Sequence, residues 1–423
     1  MKLTHVEVSD FKGVSSLAFD PGQVTVLTGR NNSGKTSLLE ATEIGIDPTR
    51  IERHSERVES LIAAGAESAE ITLEYESEGE TGRREVEMWV PESVDEGALV
   101  ADLVARHEFR SLSYRVASIV DGVESELGEE TVLDLMGVVE KNVESGLREQ
   151  WSDAVSTRSV ALTVDDSSHT FLYVEQTPQG FVESVTTAAI SEITAEIADA
   201  TAIERSAVPE NFGSMIESPL EALLRETLHD GHLFPDDPES IGTVGLRDDL
   251  ALTAEDVDFG ENGAAVRLSD IEEYLIDNGL VDNLDTLSLD QMVYEEDGEK
   301  YQVPYEFTGE GFKTLVGLLW ELWADTPELL LLEEPETNMH PRYIHEFVHW
   351  FVDVVRDRDV QVFLTTHDID AIRSFFDFVE PSQKAFLREE FRLVQMDRTL
   401  PESYDYDEAE SLSKEMQTDL RGM

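Results

Sequence analysis

The sequence predicts an α/β fold: a head built on a mixed, partly antiparallel sheet, with a mostly helical lid or arm inserted in its middle. Two stretches predict the head. Near the start, the β-branched run Gln23-Val24-Thr25-Val26-Leu27 enters a glycine-rich loop that opens a helix. In the last third, apolar strands alternate with helices, the pattern of parallel strands with covering helices. The stretch between them has hairpins and helices but no such alternation.

Taken in order, Leu3 to Val8 alternate as a strand, and Thr36 to Ile46 reads as a helix. Ala69 to Glu76 and Arg84 to Val90 flank the turn Glu78-Gly79-Glu80-Thr81-Gly82. Ser159 to Val164, Thr170 to Val174 and Phe181 to Ser184 read as further strands. Helices are predicted over Glu129 to Trp151, Ile216 to Leu228 and Ser269 to Asn278. Gln291 to Phe307 reads as a hairpin turning at Glu296-Asp297-Gly298-Glu299. Gly311 to Trp323 is then helix, Leu329 to Leu332 strand, Pro341 to Arg356 helix, Val360 to Leu364 strand, and Asp368 to Phe376 helix. There is no internal repeat, low-complexity tract or sustained heptad pattern.

The 423 residues are 40% hydrophobic, enough for a sizeable core and two or three domains. Against 31 Lys and Arg stand 91 Asp and Glu, a formal net charge of −60. The acids interleave with apolar residues along the whole chain, so they describe a solvated surface and not a disordered tail. Such a surface repels itself at low ionic strength, and in molar salt, where the Debye length is about 3 Å, the repulsion fades. The balance is that expected of a protein adapted to a salt-rich cytoplasm, as in halophilic archaea. It also disfavours DNA as a partner, because non-specific binding needs Lys and Arg against phosphates. Without cysteine there are no disulfides, cysteine nucleophiles or thiolate metal sites. The N-terminus lacks a signal-peptide core. The most apolar stretch, Thr314 to Leu332, is broken by Glu321, Asp325 and Glu328. A soluble, cytoplasmic protein without a membrane span is expected.

Gly29-Arg30-Asn31-Asn32-Ser33-Gly34-Lys35-Thr36 fits G-x-x-x-x-G-K-[ST]. The glycines let the backbone curl so that successive N–H groups face phosphate oxygens. Lys35 reaches the β and γ phosphates, and the Thr36 hydroxyl coordinates Mg²⁺. The helix that starts here adds its positive end, with Ser37 completing the phosphate-contacting stretch.

Leu329-Leu330-Leu331-Leu332-Glu333-Glu334-Pro335-Glu336 reads as a buried strand delivering carboxylates to the sheet edge where ligands bind. Glu333 is the candidate for the Mg²⁺ shell, and Glu334 for orienting or deprotonating the attacking water. Val360 to Thr366 is a second such strand, and it places His367 where an imidazole meets a γ phosphate and that water. A third element, Thr308-Gly309-Glu310-Gly311, precedes a helix, where Thr308 and Gly309 can donate to a phosphate; it serves equally well as a helix cap.

These four elements, in this order, resemble the ABC-type ATPase superfamily, whose members include SMC proteins, RecF and the OLD-like ATPases. Glu333-Glu334-Pro335-Glu336-Thr337-Asn338-Met339-His340-Pro341 looks most like the OLD-like branch, also called AAA-family ATPases. So do the Thr-Gly-Glu-Gly form of the signature and the opening Val8-Ser9-Asp10-Phe11-Lys12-Gly13. The resemblance is specific over residues 1–46 and 303–376 and faint between them. It differs from many relatives in having Glu333 for Asp and Glu310 for Gly. Gln176 and the stretch around Arg205 are candidates for a Q-loop, and Phe11 and Lys12 for the adenine contact.

The resemblance implies an ATPase using ATP and Mg²⁺, with an ABC-type P-loop head over residues 1–95 and 285–423 and an insertion over 96–284. It implies a homodimer sandwiching ATP, in which Thr308 to Gly311 touch nucleotide on the opposite subunit and Thr337 to His340 form the adjoining D-loop. Long heptads, which SMC-type repair proteins carry, are missing. The 56 residues after His367 are too few for the TOPRIM nuclease domain of many OLD proteins. The expectation is a stand-alone switch working with a separately encoded nuclease or toxin effector, in antiviral defence, and the alternative is a RecF-like ATP-gated DNA-binding protein.

Overall fold

The chain opens with an antiparallel pair, β1 (Lys2–Phe11) and β2 (Val14–Phe19), in which Val8 faces Leu17 and Phe11 faces Val14. β3 (Val24–Gly29) is buried at all six positions, as a strand covered on both faces must be. A loop joins it to α1 (Lys35–Ile46). A 3-10 stretch, Pro48–Leu61, leads to the hairpin of β4 (Ser68–Ser77) and β5 (Glu80–Trp89). Its two turn residues, Glu78 and Gly79, have φ of 53° and 84°, the primed turn that matches strand twist. β1 also pairs antiparallel with β4, so β2, β1, β4 and β5 form one antiparallel layer.

The computed structural model describes residues 1–103, 129–151, 156–176, 180–199, 212–229, 232–233, 238–247, 251–254, 256–257, 263–323, 327–337, 339, 341–396 and 401–415. They divide into two compact units. One takes Met1–Pro48, Ala63–Val86 and Glu239–Met423, the other Thr49–Ile62 and Glu87–Pro238.

The second unit carries α2 (Glu96–Leu103), α3 (Glu129–Gln150), the hairpin of β6 (Ser156–Val164) and β7 (Ser167–Gln176), α4 (Phe181–Asp199), α5 (Phe212–His229) and β8 (His232–Leu233). Trp151 anchors it. Its ring meets Phe181 edge-on at 5.8 Å, and its N–H donates to Glu96 at 3.3 Å. Phe181 to Ser184 was expected to be a strand and is instead the first turn of α4. Phe181, Val182, Val185 and Ala189 are buried, and this spacing of one, four and eight has the helical period, which outweighs the β-branched composition.

The first unit resumes with β9 (Val244–Arg247), α6 (Ala264–Asp277) and a three-stranded antiparallel sheet of β10 (Leu284–Thr286), β11 (Gln291–Glu296) and β12 (Glu299–Pro304). α7 (Glu310–Trp323), β13 (Leu329–Glu333), α8 (Pro341–Arg358), β14 (Gln361–Thr366) and α9 (Ile369–Asp377) follow. The last elements are α10 (Pro381–Glu390), β15 (Phe391–Met396), β16 (Glu402–Tyr404) and α11 (Tyr406–Glu415). The central sheet has the order β16-β15-β3-β14-β13-β9. All neighbours among β15, β3, β14, β13 and β9 are parallel, and only the edge strand β16 is antiparallel. This is the α/β class expected, with its antiparallel lobe.

α1 packs against both sheets, touching β1 and β4 on one side and β9, β13, β14 and β3 on the other. Nine of its twelve residues are accordingly buried, the pattern of a helix enclosed on all sides. Gly45 lets the layers close, since a Cβ there would lie 2.7 Å from Leu73 Cδ1. The buried Gln361 side chain ties the same layers together. It accepts from the Leu3 N–H at 2.8 Å and donates to the Leu3 and Gly22 carbonyls at 3.0 Å each. Gln361→Leu keeps the bulk and removes these bonds. At about 1–3 kcal/mol for a buried group left unpaired, a loss on the order of 3 kcal/mol is expected in denaturant unfolding.

Candidate nucleotide-binding site

The loop after β3 is shaped by three residues at positive φ: Gly29 at 147°, Asn32 at 62° and Gly34 at 99°. At Gly29 a Cβ would lie 2.4 Å from the Met396 carbonyl oxygen, so β15 sets how tightly the loop turns. The Ser33 N–H bonds the Arg30 carbonyl at 3.1 Å, and no side chain caps α1 at Gly34. An uncapped helix start following a curled loop is an anion site in form. The Ser33 hydroxyl is buried there without a hydrogen-bond partner, as expected of a cradle that a phosphate oxygen completes. Lys35 is buried, and its ammonium folds back onto the Gly29 and Arg30 carbonyls at 3.0 and 3.2 Å. Burial pushes its pKa below the ordinary value, opposed by the charges of Glu334, Glu333 and Glu336.

Parallel register aligns the strand ends. Glu333 is level with Thr365, and Thr365 with Leu27. The segments that follow β3, β13 and β14 therefore leave the sheet at one edge. There the Thr36 hydroxyl donates to the Glu333 carboxylate. Glu334 sits in the left-handed region at φ 44°, although Pro335 follows it. A residue before proline ordinarily stays extended, so this is local strain. Its N–H is held at 3.1 Å from both the carbonyl and the hydroxyl of Thr365. His367 Nδ1 lies 2.8 Å from Glu334 Oε1. Lys35, Thr36, Glu333, Glu334 and His367 thus come together, as their motifs imply.

Two residues after Glu334, Glu336 is a member of this edge that the sequence did not single out. It is 6% exposed, and its carboxylate accepts from the Thr366 hydroxyl. Burial pushes its pKa up to about 7, with Glu334 and Asp368 adding to the rise and the Thr366 hydroxyl opposing it.

Thr308 to Gly311 make local bonds. The Thr308 hydroxyl donates to the Tyr305 carbonyl at 2.7 Å, the Phe312 N–H bonds Gly309 at 3.0 Å, and Glu310 pairs with Lys313 at 2.8 Å. Glu310 stands in the first turn of α7, where its charge suits the helix dipole. Phe11 is fully buried in the antiparallel layer and cannot stack on a base, while Lys12 is paired with Glu40 at 2.6 Å. Arg205, Asn338, His340 and the Gln176 side chain lie outside the described residues.

The donors present suit Mg²⁺ on a nucleotide. Thr36 and Glu333 offer hard oxygens, and Mg²⁺ is commonly held by one or two carboxylates together with phosphates and water. Among the described residues no larger group of acids and histidines is arranged around a metal position, and no helix is long and apolar enough to cross a membrane.

Residues 211–373 match the family described as "AAA domain, putative AbiEii toxin, Type IV TA system". Residues 1–54 match "Protein of unknown function (DUF2813)". No curated protein matches the chain. Among solved structures it is similar to the SMC head domain from Thermotoga maritima, with 12% identity over 96% of this chain and 99% of that one, at a TM-score of 0.42. It is similar also to the Smc head domain from Pyrococcus furiosus bound to the C-terminal domain of ScpA, with 9% identity over 99% and 100%, at 0.39.

Glu336 makes stability depend on pH with a definite sign. Its folded pKa, about 7, lies above the ordinary carboxyl value of 4.5. Between these values the native state holds a proton that the unfolded chain has released, so stability falls as pH rises through this window. The Tm of the native chain should therefore fall relative to that of Glu336→Gln between pH 5 and pH 8. Parallel pH dependences for the two proteins would show that Glu336 does not titrate there.

Proposed function

We propose that this chain binds and hydrolyses ATP with Mg²⁺, dimerises around it, and acts as a nucleotide-driven switch on a separately encoded effector. The observation that carries the reading is the meeting of Lys35, Thr36, Glu333, Glu334 and His367 at the ends of three adjacent parallel strands. In this reading the loop from Gly29 to Ser37 holds the phosphates and Lys35 neutralises the β and γ groups. Thr36 and Glu333 hold Mg²⁺, which when bound offsets the charge of the phosphate chain. Glu334 orients the attacking water or takes its proton, and His367 steadies that carboxylate from 2.8 Å and faces the γ phosphate. Phosphoryl transfer asks for positioning and charge more than for covalent chemistry, and these residues supply both.

The head is assigned to residues 1–95 and 285–423 and the insertion to 96–284. Thr308 to Gly311, at the start of α7, would meet nucleotide held by a second copy. The toxin–antitoxin description of the family matched over 211–373 supports a defence-type role; the OLD-like assignment and the separate effector rest on the resemblance of the motifs. The net charge of −60 supports a salt-rich setting and speaks against DNA as the main ligand.

The test measures ATP hydrolysis and oligomeric state together in molar KCl with Mg²⁺. Native protein should turn over slowly, and Glu334→Gln should lose about 10²-fold or more, as removal of a general base does. The variant should also accumulate as an ATP-bound dimer. Normal hydrolysis by Glu334→Gln, or a monomer in saturating ATP, would overturn the assignment. A second expectation concerns salt alone: the Tm should fall steeply from molar KCl to roughly 0.1 M, as the screening length lengthens from about 3 to 10 Å. A salt-independent Tm would refute the adaptation.

A further inference from the structure

We infer that Glu336 is a positioning residue, which acts through the Thr366 hydroxyl to fix the strand end carrying His367 and, with it, the carboxylate of Glu334. The inference rests on the ATPase reading and deepens it.

Neither Glu334 nor His367 is held by burial. Their side chains are 29% and 52% exposed, so their 2.8 Å contact depends on the backbone that presents them. That backbone is stitched twice. On one side of the contact, the Glu334 N–H bonds the carbonyl and hydroxyl of Thr365. On the other, the Thr366 hydroxyl donates to Glu336 and accepts from the Asp368 N–H at 3.0 Å. One hydroxyl therefore joins the segment after β13 to the residue immediately beyond His367. Asp368 in turn caps α9 by accepting from the Asp370 N–H at 2.7 Å. The Glu336 carbonyl accepts from the Met339 N–H at 2.9 Å, which fixes the segment on its other side.

The chemistry suits the task. Thr366 is fully buried, so its hydroxyl proton needs an acceptor. A carboxyl group offers that acceptor in either protonation state. Without this bond the hydroxyl would reorient and the Asp368 amide would lose a fixed acceptor. His367 would then keep its links to β14 and α9 but lose the cross-tie to the segment after β13. Displacement by about 1 Å at a reacting group costs on the order of 10²-fold in rate.

The experiment uses the full chain in molar KCl with Mg²⁺ and compares Glu336→Ala, Thr366→Val, their double variant and Glu336→Gln. Steady-state hydrolysis and binding of a fluorescent ATP analogue are both measured. Loss of position should lower kcat about 10- to 100-fold in Glu336→Ala and in Thr366→Val, with KM and analogue affinity changed by less than about threefold. The double variant should be no worse than the poorer single one, since both break the same bond. Glu336→Gln keeps an acceptor oxygen and should retain most of the activity. Additive losses, an equal loss in Glu336→Gln, or unchanged kcat in Glu336→Ala would overturn the proposal.

A nucleotide-free readout separates this proposal from the ATPase reading. The imidazole NMR signals of His367 should shift in both Glu336→Ala and Glu334→Gln, whether or not ATP is hydrolysed. Unmoved signals would refute the positioning role by themselves. A chain that hydrolyses nothing but shows the shift would sink only the ATPase reading.

Discussion

Three carboxylates, Glu333, Glu334 and Glu336, act electrostatically on one buried ammonium, that of Lys35, and the rest of the site is arranged around that imbalance. Burial lowers the pKa of Lys35, and the charges of Glu334, Glu333 and Glu336 oppose that fall. The acids in turn are divided among separate partners: Thr36 for Glu333, His367 for Glu334, and Thr366 for Glu336. Acidic residues thus outnumber the single ammonium at this edge, and a bare polyphosphate would bring still more negative charge. A divalent cation accompanying the phosphates would offset that charge, and Glu333, bonded to Thr36, is the carboxylate that would hold it.

The partners can be so divided only because β3, β14 and β13 are neighbours in parallel register. Side chains along a strand alternate in direction, so a slip of one residue would turn Glu333 or Thr365 to the other face. Buried apolar runs do not fix register by themselves, because each leucine of β13 fits the next position almost as well. Polar bonds with a single geometry do. Gln361 at the start of β14 is locked to Leu3 and Gly22, and Thr365 and Thr366 at its end are locked to Glu334 and Glu336. Polar side chains thus pin the strand at both ends, Gln361 at one and Thr365 and Thr366 at the other, with the apolar Val362, Phe363 and Leu364 between.

What was legible in the sequence was whatever has a local cause. The loop after β3, the strand Leu329 to Leu332, the helix behind Asp368 and the hairpin turning at Asp297-Gly298 all follow from composition and spacing within a few residues, and all are present. Several of the missed strands lack such a cause. β2 carries serines at two of its first three positions, β9 has only four residues, and β15 interrupts its apolar run with Arg392 and Gln395. These are strands because of their neighbours: β15 lies beside β3, and its Met396 carbonyl stands against Gly29. Glu336 escaped notice for the same reason. In a chain with 91 acids one more glutamate is unremarked, and only the fold shows that it is buried against Thr366.

The segment Glu334-Pro335-Glu336 concentrates two costs that an ordinary strand end would avoid. Glu334 takes a left-handed backbone that a residue before proline resists, and Glu336 keeps a carboxyl in a place that pushes its pKa to about 7. Neither is needed for folding: an extended residue would continue β13, and an apolar side chain would fill the space of Glu336 without desolvating a charge. Both become intelligible if the segment is shaped to present Glu334. The left-handed turn takes Glu334 out of the line of the strand, toward His367. The buried carboxylate fixes the next strand end from beneath, so that His367 is present to receive it. The strain lies where the chemistry is proposed to occur, and the surrounding core of β3, β13, β14 and α1 supplies the stability that offsets it.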